Sequence, residues 1–224
     1  MCGRYTLRAG IDAILSEFGI QTLPGFDLKP RYNIAPTQDA IVIPNIEPRQ
    51  LHLFRFGMVL PFLDKPSGLI NVRAETFTKK PYFANMLRTK RCLVVADGFY
   101  EWKKDARRAR PFFFRFRDGR VFAFAGIFTP LEEEGEERGY SFAIITTSPC
   151  KEVSVVHDRM PVIMPREGYD VWLSSERVDN EKLLSFLHPL EDGLLESYEV
   201  STSVNSAKND GPQCLEPAKP HSLF

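Results

Sequence analysis

A single α+β domain with a curved, mainly antiparallel β-sheet or barrel-like core and short flanking helices is the fold class this sequence predicts. Two observations carry that reading. Short runs of alternating or β-branched residues recur from Ala40 to Met164 with turn signals between them, while helical periodicity is confined to a few brief segments. No internal repeat or linker-like low-complexity stretch divides the 224 residues, a length that suits one large domain or two small ones and can bury a sizeable core.

In chain order, Ile11, Ile14, Leu15 and Phe18 repeat at helical spacing, and Gly19 supplies a stop, so residues 11–18 are a short amphipathic helix. Arg31 to Pro36 carries turn residues and a proline-restricted alanine, and reads as a fixed loop crossing the core. Ala40 to Ile43 and Leu51 to Met58 are strands, the second with His52 projecting from an edge into solvent. Lys65 to Gly68 is a loop feeding the extended run Leu69 to Thr76, and Pro81 to Leu87 is helical. The β-branched run Arg91 to Ala96 ends at an Asp97-Gly98 turn, and Phe99 to Lys103 resumes as a strand. The basic tract Lys103 to Arg110 is read as a solvated loop. Phe112 to Arg117 and Val121 to Ala125 flank Asp118-Gly119, a strong hairpin signal. Glu132 to Arg138 is a charged loop, Ser141 to Thr147 and Val162 to Met164 are strands, and Tyr169 to Leu173 and Glu181 to Leu187 are helices. The tail after Ser201, rich in Asn, Pro and Lys, is expected to be irregular.

Composition excludes some functions. No apolar run reaches the length of a membrane span and the N-terminus lacks a signal-peptide core, so a cytoplasmic protein is expected. The four cysteines, Cys2, Cys92, Cys150 and Cys214, form no C-x-x-C pair and have no histidine at ligand spacing, which argues against a metal site. An intracellular setting argues against disulfides, and Cys92 and Cys150 read as small buried apolar residues. The net charge is zero, yet residues 1–120 hold 21 Lys+Arg against 11 Asp+Glu and the remainder is acidic to the same degree. Either an anion-binding face is built from the first half, or the opposite charges pair across the fold.

Four places put polar residues where chemistry can use them. Cys2 is either an unstructured start or, once Met1 is removed, an N-terminal cysteine with an amine and a thiol on adjacent carbons. Such a pair can capture an aldehyde, the amine by condensation and the sulfur by closing a five-membered thiazolidine ring. Asn71 and Arg73, two apart, share one face of an extended segment: either a turn with a surface charge, or an amide that positions the N-terminus beside a phosphate-binding guanidinium. Glu101 stands beside Trp102 in an apolar strand. It is either a solvated strand end or a desolvated carboxyl of raised pKa fit to shuttle protons, with Trp102 able to stack on a base. His157, followed by Asp158 and Arg159, titrates near neutrality and is either an acid–base group or a structural residue.

These residues fall within Met-Cys-Gly-Arg at the start, Arg31 to Pro36, Asn71-Val-Arg-Ala-Glu, Arg91 to Trp102 (ending Asp-Gly-Phe-Tyr-Glu-Trp) and His157-Asp-Arg-Met-Pro, in that order. The set resembles the SOS-response-associated peptidase (SRAP) family from residue 2 to about Asn205, and the domain is therefore expected to span 2–210, with 211–224 an irregular tail. The resemblance implies recognition of abasic sites in single-stranded DNA and covalent attachment to them through Cys2, protecting the lesion during the DNA damage response. It further implies that Asn71 positions the nucleophile, Glu101 is the acid/base group and His157 assists opening of the sugar ring. Arg4 and Arg73 match phosphate-contacting arginines, and Trp102 matches a channel-lining tryptophan. The family name records a proposed peptidase activity, in which the same residues release Met1. Neither cofactor nor metal is implied, and a monomer associated with the nucleoid when bound to DNA is expected. One departure stands out: relatives often carry a tryptophan pair where this chain has Phe62-Leu63, so base stacking there should be weaker. Two rivals remain. A non-covalent single-strand-binding module would use the basic half and the aromatics alone, and an N-terminal-cysteine amidotransferase predicts a Gly-His-Thr-Arg segment that is absent.

Overall fold

Continuous runs of buried apolar residues set the central strands, and the pairing that follows closes a barrel. The computed structural model describes residues 2–46, 48–62, 68–105, 108–133 and 136–219. In chain order the elements are β1 (Arg4–Leu7), α1 (Ile11–Phe18), β2 (Arg31–Ile34), β3 (Asp39–Pro44), β4 (His52–Phe56) and β5 (Asn71–Arg73). Then come α2 (Pro81–Thr89), β6 (Arg91–Ala96), β7 (Gly98–Lys104), β8 (Ala109–Phe116), β9 (Phe122–Glu133) and β10 (Glu136–Thr147). The chain ends with α3 (Lys151–Ser154), β11 (Met160–Pro161), α4 (Tyr169–Leu173), α5 (Asn180–Leu184) and β12 (Leu195–Glu199).

Strand β10 pairs β4, β4 pairs β3, β3 pairs β6, β6 pairs β9, and β9 returns to β10, so five strands close a ring. The barrel-like core expected from the sequence is present and mainly antiparallel; only β4 and β5 run parallel to β10, on successive stretches of its edge. A second, five-stranded sheet runs β12-β8-β7-β1-β2. One face of it joins the main core through Tyr5, Phe99 and Phe114, and the other carries a smaller cluster of Tyr100, Phe113, Val200, Val204 and Cys214. Among the described residues no helix is long and apolar enough to cross a membrane.

Helices 11–18 and 169–173 fall where their periodicity places them. The loop expected at Arg31 to Pro36 begins instead as a strand, because β1 offers it an open edge at Tyr5 and Leu7. The basic tract Lys103 to Arg110 is in part the end of a hairpin, with Lys103 opposite Arg110. In the segment expected as a charged loop, Glu132 and Glu133 of β9 pair with Glu137 and Glu136 of β10. Asp118-Gly119 reverses the chain, Gly119 taking φ 70°, but makes no hairpin: β8 pairs β7 and β12, while β9 pairs β6 and β10. Turn chemistry fixes the local reversal, and burial of both apolar strands decides their partners. The strand expected at 162–164 is β11, two residues earlier, followed by a single bridge from Ile163 to Phe124.

Asp97-Gly98 is also a crossing between sheets, carrying the chain from β6 in the barrel into β7. The nearly buried Asp97 carboxylate accepts from Thr6 Oγ1 and from the backbone of Arg8 and Ala9, tying the end of β1 to this crossing. Gly98 is required by proximity: a Cβ there would lie 2.2 Å from the buried Phe113 ring. Gly98→Ala should therefore cost about 1–3 kcal/mol, the price of overpacking a filled core. Urea unfolding checks this, and an unchanged midpoint would mean that the ring can yield.

Candidate active site

The two sheets meet at Cys2. Register along β1 and β7 pairs Arg4 with Tyr100 and Tyr5 with Phe99, so one step further Gly3 falls opposite Glu101. Strand alternation turns Phe99 and Glu101 to the same side as the main core and Tyr100 and Trp102 to the other. Cys2 is fully buried, and Asn71, itself 8% exposed at the start of β5, donates from Nδ2 to the Cys2 carbonyl at 3.0 Å. Asn71 Oδ1 accepts no hydrogen bond among the described residues. The clamp works because β5 is held parallel to β10 at Ile144 to Thr146, at the end of β10 where β11 also docks.

Glu101 is 1% exposed, and burial pushes its carboxyl up to about 7. At neutral pH it can both give and take a proton. His157 Nε2 lies 3.9 Å from Glu101 Oε2. The Arg159 backbone N–H donates to His157 Nδ1 at 3.0 Å, so in the neutral ring the proton sits on Nε2, toward Glu101. Asp158 Oδ1 also stands 3.0 Å from Nδ1 and would favour the imidazolium, but its side chain is 90% exposed. Burial prevails and lowers the His157 pKa. Burial, and secondarily the Glu101 charge, drives the Cys2 thiol far up. The sulfur is thus held as the thiol until a base takes its proton.

The remaining expected residues spread around this centre. Arg73 is exposed on β5, two residues from Asn71 and paired with Thr146. Arg4, matched to a phosphate contact, commits its guanidinium to Asn33 Oδ1 (3.0 Å), Val204 O (2.6 Å) and Asn205 O (3.3 Å). Trp102 is half-buried, its indole N–H donating to Asn205 Oδ1 at 2.8 Å. Phe62 is 66% exposed and meets Tyr82 edge-on at 5.2 Å between centroids; Leu63 lies outside the described residues. His52 is half-buried against Phe54.

Sequence reasoning missed three participants. Arg159 forms a bidentate pair with Glu75 at 2.7 and 3.0 Å and donates to Thr146 O, pinning the His157 loop to β10. Asn33, read as a turn residue, is fully buried, and Asp210 accepts from the backbone of Tyr32 and Asn33. As for metal, ligand atoms of Cys150, Glu152 and Asp192 lie within 4.8 Å of one another, but both carboxylates already accept backbone N–H groups, of Gly193 and Lys151.

A buried cysteine whose carbonyl is held by an amide, with a carboxyl of raised pKa and an imidazole close by, thus sits where the barrel meets the second sheet. The chain belongs to the SOS response associated peptidase (SRAP) family, whose model matches residues 1–207. It is 39% identical over 222 residues to the abasic site processing protein YoqW of Bacillus subtilis, covering 96% of this chain and 99% of that one. It is 32% identical over 225 residues to the abasic site processing protein HMCES of Gallus gallus, covering 84% of this chain and 66% of the relative. A crystal structure of a Bacteroides thetaiotaomicron protein shares the fold, with TM-score 0.82 and 22% identity over 97% of this chain and all of that one.

Proposed function

We propose that this protein processes abasic sites in single-stranded DNA by forming a covalent thiazolidine cross-link through Cys2 once Met1 has been released. The observation that carries this reading is the convergence of Asn71 Nδ2 on the Cys2 carbonyl with Glu101 and His157 side by side, 3.9 Å apart. The names of the relatives, abasic site processing proteins, support the substrate.

In its ring-opened form an abasic sugar carries an aldehyde at C1′. The Cys2 α-amine adds to that carbon, and loss of one water gives the imine. The Cys2 sulfur then adds to the same carbon while its proton passes to nitrogen, closing the five-membered ring. The amine acts first and the sulfur second, because the ring closes on the imine carbon that the amine creates. Glu101, poised near 7, protonates the departing hydroxyl and then receives the thiol proton; running the same transfers backwards opens the ring. His157, with its proton on Nε2, assists opening of the sugar. Asn71 holds the Cys2 carbonyl, so that the amine and thiol present one geometry. The same groups release Met1 by hydrolysing the Met1–Cys2 bond with one water. Exposed Arg73 contacts a phosphate, Trp102 lines the strand path and Phe62 offers its ring to a base. The protein acts as a monomer.

Intact-mass spectrometry after incubation with an abasic single-stranded oligonucleotide tests the reading, with Cys2→Ala alongside. The expected product is protein lacking Met1 plus oligonucleotide minus one water, stable to heat and absent from the variant. Protein that has lost Met1 and stays unmodified would leave the non-covalent binding module as the better account.

A further inference from the structure

We infer that Asn33, together with Arg4, is a positioning device that sets the nucleophile through the C-terminal strap, and that Arg4 acts through this strap instead of on a phosphate. The inference rests on the proposed cross-linking reaction and names residues that act behind it.

The strap is residues 201–210, which cross the outer face of the five-stranded sheet. Asn33 is fully buried in β2, and the two hydrogens of its amide nitrogen are shared among three strap carbonyls, Val204 at 3.1 Å, Ser206 at 3.0 Å and Asn209 at 2.8 Å. Its Oδ1 accepts from Arg4 Nη1, and Arg4 also donates to the carbonyls of Val204 and Asn205. Every polar atom of the Asn33 side chain is thereby spent on joining strap to strand. Asp210 completes the joint by accepting from the Tyr32 and Asn33 backbone at 2.6 and 2.8 Å. A buried amide this fully used, with four partners from two distant parts of the chain, is costly to remove and fixes one arrangement.

What the strap fixes is the site. Arg4 is two residues from Cys2, and the Cys2 thiol leans on the Arg4 carbonyl at 3.8 Å. Asn71 holds the Cys2 carbonyl from the barrel side, while Arg4 and Asn33 hold the following residues from the strap side. The strap also fixes Trp102, the neighbour of Glu101, through Asn205. Two strap carbonyls and a buried amide oxygen take three of the five N–H donors of this guanidinium and fix its plane under the strap. Half-burial beneath the strap lowers its pKa.

The test separates positioning from contact. With an abasic single-stranded oligonucleotide, Asn33→Ala and Arg4→Met should lower the first-order cross-linking rate at saturation at least tenfold. Their half-saturating concentrations should stay within about twofold of the parent. With an oligonucleotide of intact bases, the slope of log K against log salt should be unchanged in Arg4→Met and should fall by about 0.7 in Arg73→Met, the amount for one phosphate on a single strand. An Arg4→Met slope that falls as far as that of Arg73→Met overturns the inference. So does an Asn33→Ala rate within twofold of the parent. Asn205→Ala, at an exposed position, guards against a variant that fails to fold, and it should slow the saturated rate several-fold. Hydrogen exchange needs no DNA: in Asn33→Ala the backbone amides of residues 3–7 should exchange at least tenfold faster than in the parent, while those of β9 stay unchanged. No acceleration at 3–7 overturns the inference, even where the parent protein itself forms no cross-link and the proposed function falls.

Discussion

Glu101→Gln should slow cross-link formation by about 10²–10⁴-fold, the usual worth of a positioned acid–base group, and should also make the folded chain more stable at pH 8. The two effects have one cause. Glu101 is 1% exposed, and burial raises its pKa from the ordinary 4.5 to about 7. Between these values the folded chain keeps a proton that the unfolded chain has released, so stability falls as pH rises through that window and levels off above 7. At 1.36 kcal/mol per unit, the full cost of ionising Glu101 in place is on the order of 3 kcal/mol. Glutamine imitates the protonated carboxyl and escapes it. Urea midpoints should therefore coincide for parent and variant near pH 4 and separate in favour of the variant at pH 8. Midpoints that shift equally at both values would show that the carboxyl is not held near 7. The parent cross-linking rate should also bend near pH 7, and the residual rate of the variant should not.

Residue chemistry and the family-like motifs made the site legible in part. Cys2, Asn71, Glu101 and His157 stand out in the sequence as polar groups at the ends of apolar runs, and the structure gathers them. What no local pattern carries is which strands pair. Asp118-Gly119 has hairpin chemistry, yet its flanking strands go to different sheets, β8 lying between β7 and β12 and β9 between β6 and β10. Asn33 was illegible for a similar reason. Its four side-chain partners are Arg4 and three carbonyls between 204 and 209, and a backbone carbonyl has no sequence signature. Arg4 shows the converse risk: a motif preserves the residue and says nothing of what its guanidinium touches. Trp102 and Glu101, adjacent in sequence, serve opposite faces of one strand, which period-2 alternation predicts once the strand is known.

Arg91→Met should be the most destabilising single change away from the site, lowering stability by about 3–5 kcal/mol, because several buried carbonyls lose a charged donor at once. At the start of β6, Arg91 is fully buried, and burial lowers its pKa to about 10, so it remains a cation at neutral pH. Its guanidinium donates to Leu87 O at 3.0 Å and to Arg88 O, in the last turn of α2, and to Trp172 O at 2.7 Å and Ser174 O, at the end of α4. Helix ends leave carbonyls without partners and carry partial negative charge. One planar cation here closes both ends at once and packs both helices against the barrel. Methionine fills the volume but donates nothing, so several buried carbonyls lose their partner at about 1–3 kcal/mol each, less what entering water recovers. For a chain of this length the melting temperature should drop by roughly 6–20 °C. Lysine, with three donors and no fork, should recover part of the loss. The cross-linking rate per folded molecule, measured well below the melting point, should be unaffected, because the guanidinium spends its hydrogen bonds on the ends of α2 and α4. A variant that melts within 2–3 °C of the parent, less than about 1 kcal/mol, would mean that water closes these helix ends as well as the guanidinium does.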